Sequence, residues 1–168
     1  MKRIILNVVV IGLALPFICL AQPMVSPTKQ QILDSANKQM NAPKMRGMGS
    51  TTRNMGVRAS IDLLINFEFD SAALQPKGAN DLDQLVMALK DSSMSDRTFV
   101  IEGHTDAKGT EAYNLDLSNR RAQSVVAYLV RYGVSPDRLE SLGLGSSQLY
   151  YPQRPEAAEN RRVRIIFK

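Results

Sequence analysis

Alternation of apolar and polar residues marks the first structured segment of the chain. From Ser60 onward, apolar side chains occupy every second position. They are Ile61, Leu63, Ile65, Phe67 and Phe69. This period of two is typical of a strand with one buried face. The polar pair Asp70-Ser71 ends the pattern, so we predict a strand from residue 60 to residue 69.

The period changes to that of a helix after Pro76, a residue well suited to a first helical position. The apolar residues that follow it at helical spacing are Leu82, Leu85, Val86 and Leu89. A second helix is predicted further along, with Ala122, Val125, Val126, Leu129 and Val130 as its apolar positions. We expect Ser118 to be its N-cap and Gly133 to end it.

Three further segments have the pattern of strands. Arg97 to Gly103 carries an apolar centre, Leu139 to Gly145 alternates, and the last segment places Val163, Ile165 and Phe167 at every second position. The loop of residues 146–160 precedes the last strand. The resulting order βαβαββ predicts an α/β two-layer sandwich, with two main helices on one face of a four-stranded sheet.

The first residues have the pattern of a secretory leader. Two basic residues precede an apolar run from Val8 to Leu20, and small residues near Ala21 suit a signal peptidase. We interpret residues 1–21 as a signal peptide. One alternative is an uncleaved anchor, but the run is shorter than the about 20 residues that a spanning helix needs. Another is lipidation at Cys19, which the bulky residues before it disfavour.

Residues 22–59 have the composition of a flexible linker, with three prolines, three glycines and no aromatic residue. They carry six basic residues against one acidic residue, whereas residues 60–168 carry thirteen against fifteen. A nucleic-acid-binding domain concentrates positive charge on its folded surface, so this distribution argues against one. The basic linker instead suits an anionic surface of lipid headgroups or wall polymers, or a protein partner. The alternative is a soluble linker without a binding role.

A short amphipathic helix is predicted inside this linker. Residues 29–40 place Ile32, Leu33, Ala36 and Met40 at helical spacing. A helix of this length is marginal alone in water. Such a helix could form on a partner or on a membrane, and the alternative is that the segment stays flexible with the rest of the linker.

Two adjacent arginines and one aspartate form the candidate binding chemistry. With an N-cap at Ser118, Arg120 and Arg121 fall in the first helical turn, where cations oppose the helix macrodipole. An anion held by a guanidinium and the helix amides would explain them. Asp106 lies in the loop ahead of the helix, so the group suits the zwitterionic end of an amino acid. The alternative is a surface salt bridge without a functional role.

Three strings of the sequence carry a family resemblance: INFEFDSAALQPKG, GHTDAKGTEAYNLDLSNRRAQSVVAYL and NRRVRIIF. Over about residues 60–168 the chain resembles the OmpA-like peptidoglycan-binding domain, which also forms the soluble part of peptidoglycan-associated lipoproteins. The resemblance implies a mixed sheet whose last strand is antiparallel to the others. It also implies a periplasmic protein, associated with the outer membrane, that binds peptidoglycan without catalysis.

The resemblance assigns roles to individual residues. Asp106 and Arg121 stand where the family grips the diaminopimelate of a peptidoglycan stem peptide. Asn114, Thr105 and Leu117 are similar to further ligand-contacting positions. For Asn114, a turn or cap role at the start of the helix is the alternative.

Other polar residues have two interpretations each. Asp70 is similar to a position at the rim of the family's pocket, and it also suits a cap of the turn before the first helix. Arg161 and Arg162 either flank the pocket or lie on an exposed strand face. The single histidine, His104, has only Asp106 as an obvious companion, too few ligands for zinc. We expect no metal and no cofactor.

Two functions remain open at this point. The sequence contains no nucleophile elbow and no second histidine to act as a base, so we expect no catalytic residues and no enzyme. The first function is non-covalent binding of peptidoglycan, which links the wall to the outer membrane or to an envelope complex. The second is that of an assembly component of such a complex, whose domain mainly serves protein–protein contacts.

Overall fold

The computed structural model describes residues 27–40, 60–68 and 70–168. Within these ranges it contains three α-helices and four strands, connected in part by short 3-10 turns. Their bounds are α1 Lys29–Met40, β1 Ser60–Leu63, α2 Pro76–Leu89, β2 Phe99–His104, α3 Glu111–Arg131, β3 Leu139–Gly145 and β4 Val163–Phe167. The predicted order βαβαββ is confirmed from β1 onward, and α1 precedes it.

The four strands form one mixed sheet in the order β1-β4-β2-β3. Strand β4 is antiparallel to both of its neighbours, β1 and β2, whereas β2 and β3 are parallel. A parallel pair needs a crossover connection, and α3 supplies it. The expected mixed sheet with an antiparallel last strand is confirmed.

The hydrophobic core lies between one face of this sheet and the helices. Its members include Phe99 and Ile101 of β2 and Ile165 and Phe167 of β4, and the rings of Phe99 and Phe167 meet edge to face with centroids 5.6 Å apart. The helical positions predicted from the sequence complete it: Leu82, Leu85, Val86, Leu89, Ala122, Val125 and Leu129. Val130 does not join them, because it lies on the outer side of α3 and is 37 % exposed.

Helix α1 forms where the sequence predicts it, but it docks on this same domain. Ile32, Leu33 and Ala36 are buried in the common core, where α1 packs against α2 and β1. The Lys29 ammonium lies 2.8 Å from a carboxylate oxygen of Asp91. The expectation of a helix that folds only on a partner or a membrane was therefore wrong, because its apolar face finds partners within the chain.

The first strand is shorter than predicted. Regular pairing ends at Leu63, and beyond it Phe67 forms an isolated antiparallel bridge with Leu74. The backbone N–H of Gln75 donates to the carbonyl of Asn66 at 3.0 Å, so the chain folds back on itself instead of extending along β4. Phe69, the last residue of the predicted strand, lies outside the described residues.

Gly133 ends α3 as predicted. Its φ of 91° lies in the left-handed region, which glycine adopts without steric cost. The N–H groups of Gly133 and Val134 donate to the carbonyls of Val130 and Leu129. These bonds satisfy carbonyls that the helix end would otherwise leave free.

The face of the sheet opposite α2 and α3 carries charged groups. Arg162 is buried and its Nε donates to Asp62 Oδ1 at 2.8 Å, while Arg164 Nε donates to the same oxygen at 3.0 Å. Glu102 is buried beside them, and burial raises the pKa of its carboxyl group. The buried His104 lies beside this charged cluster, with its Nε2 3.7 Å from Glu102 Oε2. The sequence pattern did not predict this cluster.

We expect His104 to make the protein less stable in mild acid. Burial lowers the pKa of His104 from 6.5 to about 3, and Arg162 and Arg164 act in the same direction, opposed by Asp62 and the backbone of Gln148. The unfolded chain therefore binds this proton more readily, and stability falls as the pH drops below 6.5. Between pH 7 and pH 5 the loss from this group is about 2 kcal/mol.

Denaturant unfolding of the wild type and of His104→Gln at pH 7 and pH 5 measures this contribution. Glu102, whose Oε2 lies 3.7 Å from His104 Nε2, is present in both proteins, so the comparison isolates the imidazole. The variant should lose about 2 kcal/mol less than the wild type over this interval. Equal losses would contradict a neutral buried histidine.

Several sequence-based expectations fall on residues that the structure does not describe. The predicted signal peptide of residues 1–21, the lipidation alternative at Cys19 and most of the predicted linker of residues 22–59 belong to this group. Among the described residues, no helix combines the length and the apolarity needed to cross a membrane.

Candidate functional site

The loop between β2 and α3 forms one side of a cavity. Two backbone hydrogen bonds hold this loop, one from Thr105 N to Gly145 O and one from Ala107 N to Pro155 O, both 2.9 Å long. Gly109 turns the chain with a φ of 88°. Thr110 then caps α3, since its hydroxyl accepts from Tyr113 N at 3.2 Å.

The predicted N-cap at Ser118 was therefore wrong. Helix α3 begins at Glu111, and Ser118 lies within it, where its hydroxyl donates to Leu115 O and accepts from Gly145 N of β3. Arg121 is the eleventh residue of the helix, about three turns from its start. The helix amides do not lie beside it, and the argument from the macrodipole does not apply.

The cavity has a volume of about 680 Å³. All six residues singled out in the sequence as ligand contacts belong to its lining. The lining residues are Phe67, Glu68, Asp70, Gln75, Thr105, Asp106, Lys108, Gly109, Tyr113, Asn114, Leu117, Arg121 and Arg161. Charged groups of both signs thus share one concave surface with aromatic and aliphatic side chains, which is typical of a small-molecule or peptide site.

Asp106 supplies the most buried carboxylate of this lining, with 7 % of its surface exposed. Its Oδ1 accepts from Lys108 N at 3.1 Å, and its Oδ2 accepts from Arg161 Nη1 at 2.7 Å. Each carboxylate oxygen has two acceptor positions. Both oxygens therefore keep capacity for a further donor.

Arg121 supplies a guanidinium that is fixed at one end. Its Nε donates to Ser71 O at 3.0 Å, and its Cζ lies 4.9 Å from the ring centroid of Phe67. Burial lowers the pKa of Arg121, Arg161 lowers it further, and Asp106 acts in the opposite direction. Arginine stays protonated in proteins, so Arg121 keeps its positive charge in the site. Its Nη atoms make no hydrogen bond to the described residues.

Asp106 and Arg121 do not form an ion pair with each other. The partner of Asp106 among the described residues is Arg161. The alternative of a surface salt bridge between Asp106 and Arg121 was therefore wrong. Instead, both charges line one cavity without being paired with each other.

The remaining predicted residues also lie in this cavity. Asn114 is buried, and its Nδ2 donates to Lys108 O at 2.9 Å, so it fixes the loop that carries Asp106. Thr105 Oγ1 is buried without a hydrogen-bond partner among the described residues. Leu117 is a buried apolar contact. Asp70 is exposed, with a φ of 52° that places it in the left-handed region.

Residues 66–163 match the profile of the OmpA family. The chain belongs to the OmpA family. Among curated members of this family, the peptidoglycan-associated lipoprotein of Pseudomonas aeruginosa is 42% identical over 101 residues, which are 59% of this chain and 58% of that protein. Outer membrane protein A of Escherichia fergusonii is 44% identical over 81 residues, 48% of this chain and 33% of that protein. The chain thus matches about a third to just over half of these relatives.

Solved OmpA-like structures share the fold. The peptidoglycan-associated lipoprotein from Burkholderia pseudomallei superimposes with a TM-score of 0.54 and 32% identity, over 66% of this chain and 90% of that one. The OmpA-like domain of FopA1 from Francisella tularensis gives a TM-score of 0.55 and 26% identity, over 65% and 73% of the two chains. These matches agree with the mixed sheet and the helical layer described above.

Two neighbouring arginines of this OmpA-family chain have different places. Arg161 lies at the rim of the cavity, with 45% of its side chain exposed, and pairs with Asp106. Arg162 is buried in the charged cluster on Asp62 and does not line the cavity. Sequence reasoning left both possibilities open for both residues. The only local signal was their adjacency, since neighbouring residues of an extended segment face opposite sides.

The exposed Arg120 pairs with Asp116 four residues earlier in α3, at 2.8 Å, and so does not line the cavity. Within the described residues, no three groups among histidine, cysteine, aspartate and glutamate lie close enough to hold a metal ion.

Proposed function

We propose that this protein binds peptidoglycan non-covalently, through the free end of the diaminopimelate in its stem peptide. Asp106 accepts from the ammonium group, and Arg121 donates to the carboxylate. The observation that carries the proposal is that two buried, opposite charges line one cavity and are not paired with each other. A ligand with an ammonium and a carboxylate on one carbon complements both.

The other lining residues suit this ligand as well. The Thr105 hydroxyl, buried without a partner among the described residues, gains a hydrogen bond from a polar ligand, which removes the cost of leaving it unsatisfied. Leu117 and the ring of Phe67 provide apolar contact for the methylene groups of the diamino acid. Asp70 contributes a carboxylate at the rim of the cavity. Asn114 acts indirectly, because it fixes the loop that carries Asp106.

The names of the relatives support the same ligand class. The proteins from Pseudomonas aeruginosa and Burkholderia pseudomallei are peptidoglycan-associated lipoproteins. We infer an envelope protein of the periplasm, associated with the outer membrane, that acts by binding and not by catalysis. The predicted signal peptide is consistent with that location.

The assembly-component alternative relies on residues 22–59 as the partner-binding segment. Helix α1 lies within this range, and its apolar residues Ile32, Leu33 and Ala36 are already buried in the core. They are not available to a partner unless α1 undocks. This favours wall binding over partner capture through α1.

Acetylation of the wall tests the role of the ammonium group. The protein should co-sediment with purified diaminopimelate-type sacculi, and N-acetylation of their free amines should weaken binding by about 30-fold or more, because Asp106 then loses a charged partner. Sacculi carried through the same steps without the acetylating reagent are the control. Undiminished binding to fully acetylated sacculi would contradict the proposal.

A lysine-type wall tests the carboxylate in the same assay. Its diamino acid ends in an ammonium without the adjacent carboxylate, so Arg121 has no partner there. We expect weaker binding than to the diaminopimelate wall. Equal binding would leave Arg121 without the proposed role.

A further inference from the structure

A second, smaller cavity of about 230 Å³ adjoins the first. Four residues line both cavities: Phe67, Gln75, Arg121 and Arg161. Arg121 in particular, fixed by its bond to Ser71 and stacked on Phe67, stands at the boundary between them. A ligand anchored in the first cavity can therefore continue into the second without leaving the protein surface.

The residues that belong to the second cavity alone suit a small peptide unit. Ile65 and Ala158 provide apolar contact, and Asn66 adds an amide that can donate and accept hydrogen bonds. Asn66 and the shared Gln75 match the N–H and C=O groups of a peptide backbone. A volume of this size holds a single residue with its backbone groups more readily than a longer segment.

The charge of the second cavity favours an anionic group. Arg121 and Arg161 both line it, and Glu159 is its acidic residue. Glu159 already pairs with Arg154, whose Nη2 lies 3.4 Å from Glu159 Oε1. Arg161 is likewise paired with Asp106. Arg121 is therefore the charge of this cavity that has no ion-pair partner among the described residues, and a carboxylate is the ligand group that complements it.

We propose that this second cavity is a subsite for the amino acid that follows the diaminopimelate in the stem peptide, a small residue that ends in a free carboxylate. This inference rests on the proposed function, since the diaminopimelate in the first cavity sets the position of the next residue. Arg121 then contacts both parts of the peptide. The protein consequently distinguishes stem peptides by their length beyond the diaminopimelate.

Three synthetic stem peptides test the subsite by calorimetric titration. One ends at the diaminopimelate, the second adds a carboxyl-terminal D-alanine, and the third carries that alanine as an amide. We expect the alanine-terminated peptide to bind about tenfold more tightly than the shorter one, with most of this gain lost in the amide. Equal affinities for all three would overturn the subsite and leave the proposed function standing. No binding of any of them would overturn both.

A variant that fills the second cavity supplies an independent test. Ala158 is exposed and lines only the second cavity, so Ala158→Leu should abolish the tenfold preference while affinity for the shorter peptide stays within about twofold of wild type. Ala127→Leu, on the exposed side of α3, is the matched control and should keep the preference. A preference that survives Ala158→Leu would overturn the proposal.

Glu159→Gln probes the charge of the subsite without changing its shape. Removing this carboxylate should tighten binding of the alanine-terminated peptide by about two- to fivefold, within the range of partly exposed charge pairs. The amidated peptide, which has no carboxylate to repel, should not respond. An equal response of the two peptides would contradict a carboxylate in the second cavity.

Discussion

Replacement of Asp106 by asparagine should abolish wall binding while the protein stays folded. The Asp106 side chain is 10 % exposed and its carboxylate is bonded on both oxygens, so its charge acts in a largely desolvated site. Removal of one partner of such a charge pair costs about 2–5 kcal/mol of binding free energy. We therefore expect affinity for a soluble diaminopimelate peptide to fall at least 30-fold, as measured by calorimetry.

The fold should tolerate this change because asparagine retains an oxygen that can accept from Lys108 N. Arg161, the ion-pair partner of Asp106, keeps 45% of its side chain exposed, so it is not left as a buried unpaired charge. Asp116→Asn is the matched control, since Asp116 is an exposed carboxylate of α3 paired with Arg120. It should bind like the wild type. Equal losses in both variants would indicate a general charge effect and contradict the site.

Replacement of Gly103 by alanine should destabilise the fold strongly. A Cβ atom at this position would lie 2.2 Å from the carbonyl oxygen of Ser118 and 3.0 Å from its carbonyl carbon. These are backbone atoms in the middle of α3, so no side-chain rotation relieves the contact. Overpacking of this kind costs about 3 kcal/mol or more, against the less than about 1 kcal/mol gained from a stiffer unfolded chain.

Thermal unfolding should show this cost as a fall in Tm of roughly 10–20 °C. Ser141→Ala, an exposed position of β3 that pairs with Ile101, is the control for a change within the sheet and should shift Tm little. The Gly103 variant should also bind the wall poorly at temperatures where it is folded, because α3 carries Arg121 three residues after Ser118. A variant with unchanged Tm would show that α3 can move away from β2 without cost.

The elements of the core were predictable because burial leaves a local pattern. Apolar residues recur with a period of two around Ile165 and with a period of 3.6 around Val125. Each pattern marks one buried face, and both residues are fully buried. The same reasoning located α1, although its docking surface was predicted wrongly. A helix pattern shows that an apolar face exists, but it carries no information about which surface covers that face.

Local signals were less reliable for the helix start. Ser118 and Thr110 are both residues that cap helices well, and sequence preference alone does not choose between them. In the structure Thr110 is the cap, and the Ser118 hydroxyl, inside the helix, instead accepts a hydrogen bond from Gly145 N. That contact comes from β3, which is distant in sequence.

The sequence by itself determined which segments become strands and helices, which of their faces are apolar, and which residues carry candidate chemistry. Only the tertiary structure decided how the charges are paired. Arg161 meets Asp106 across 55 positions, and Arg162 meets Asp62 across 100. The physical reason is a difference of range: a buried face repeats along the chain every few residues, whereas a charge pair requires two particular side chains within about 4 Å, and the folding of the whole chain sets that distance.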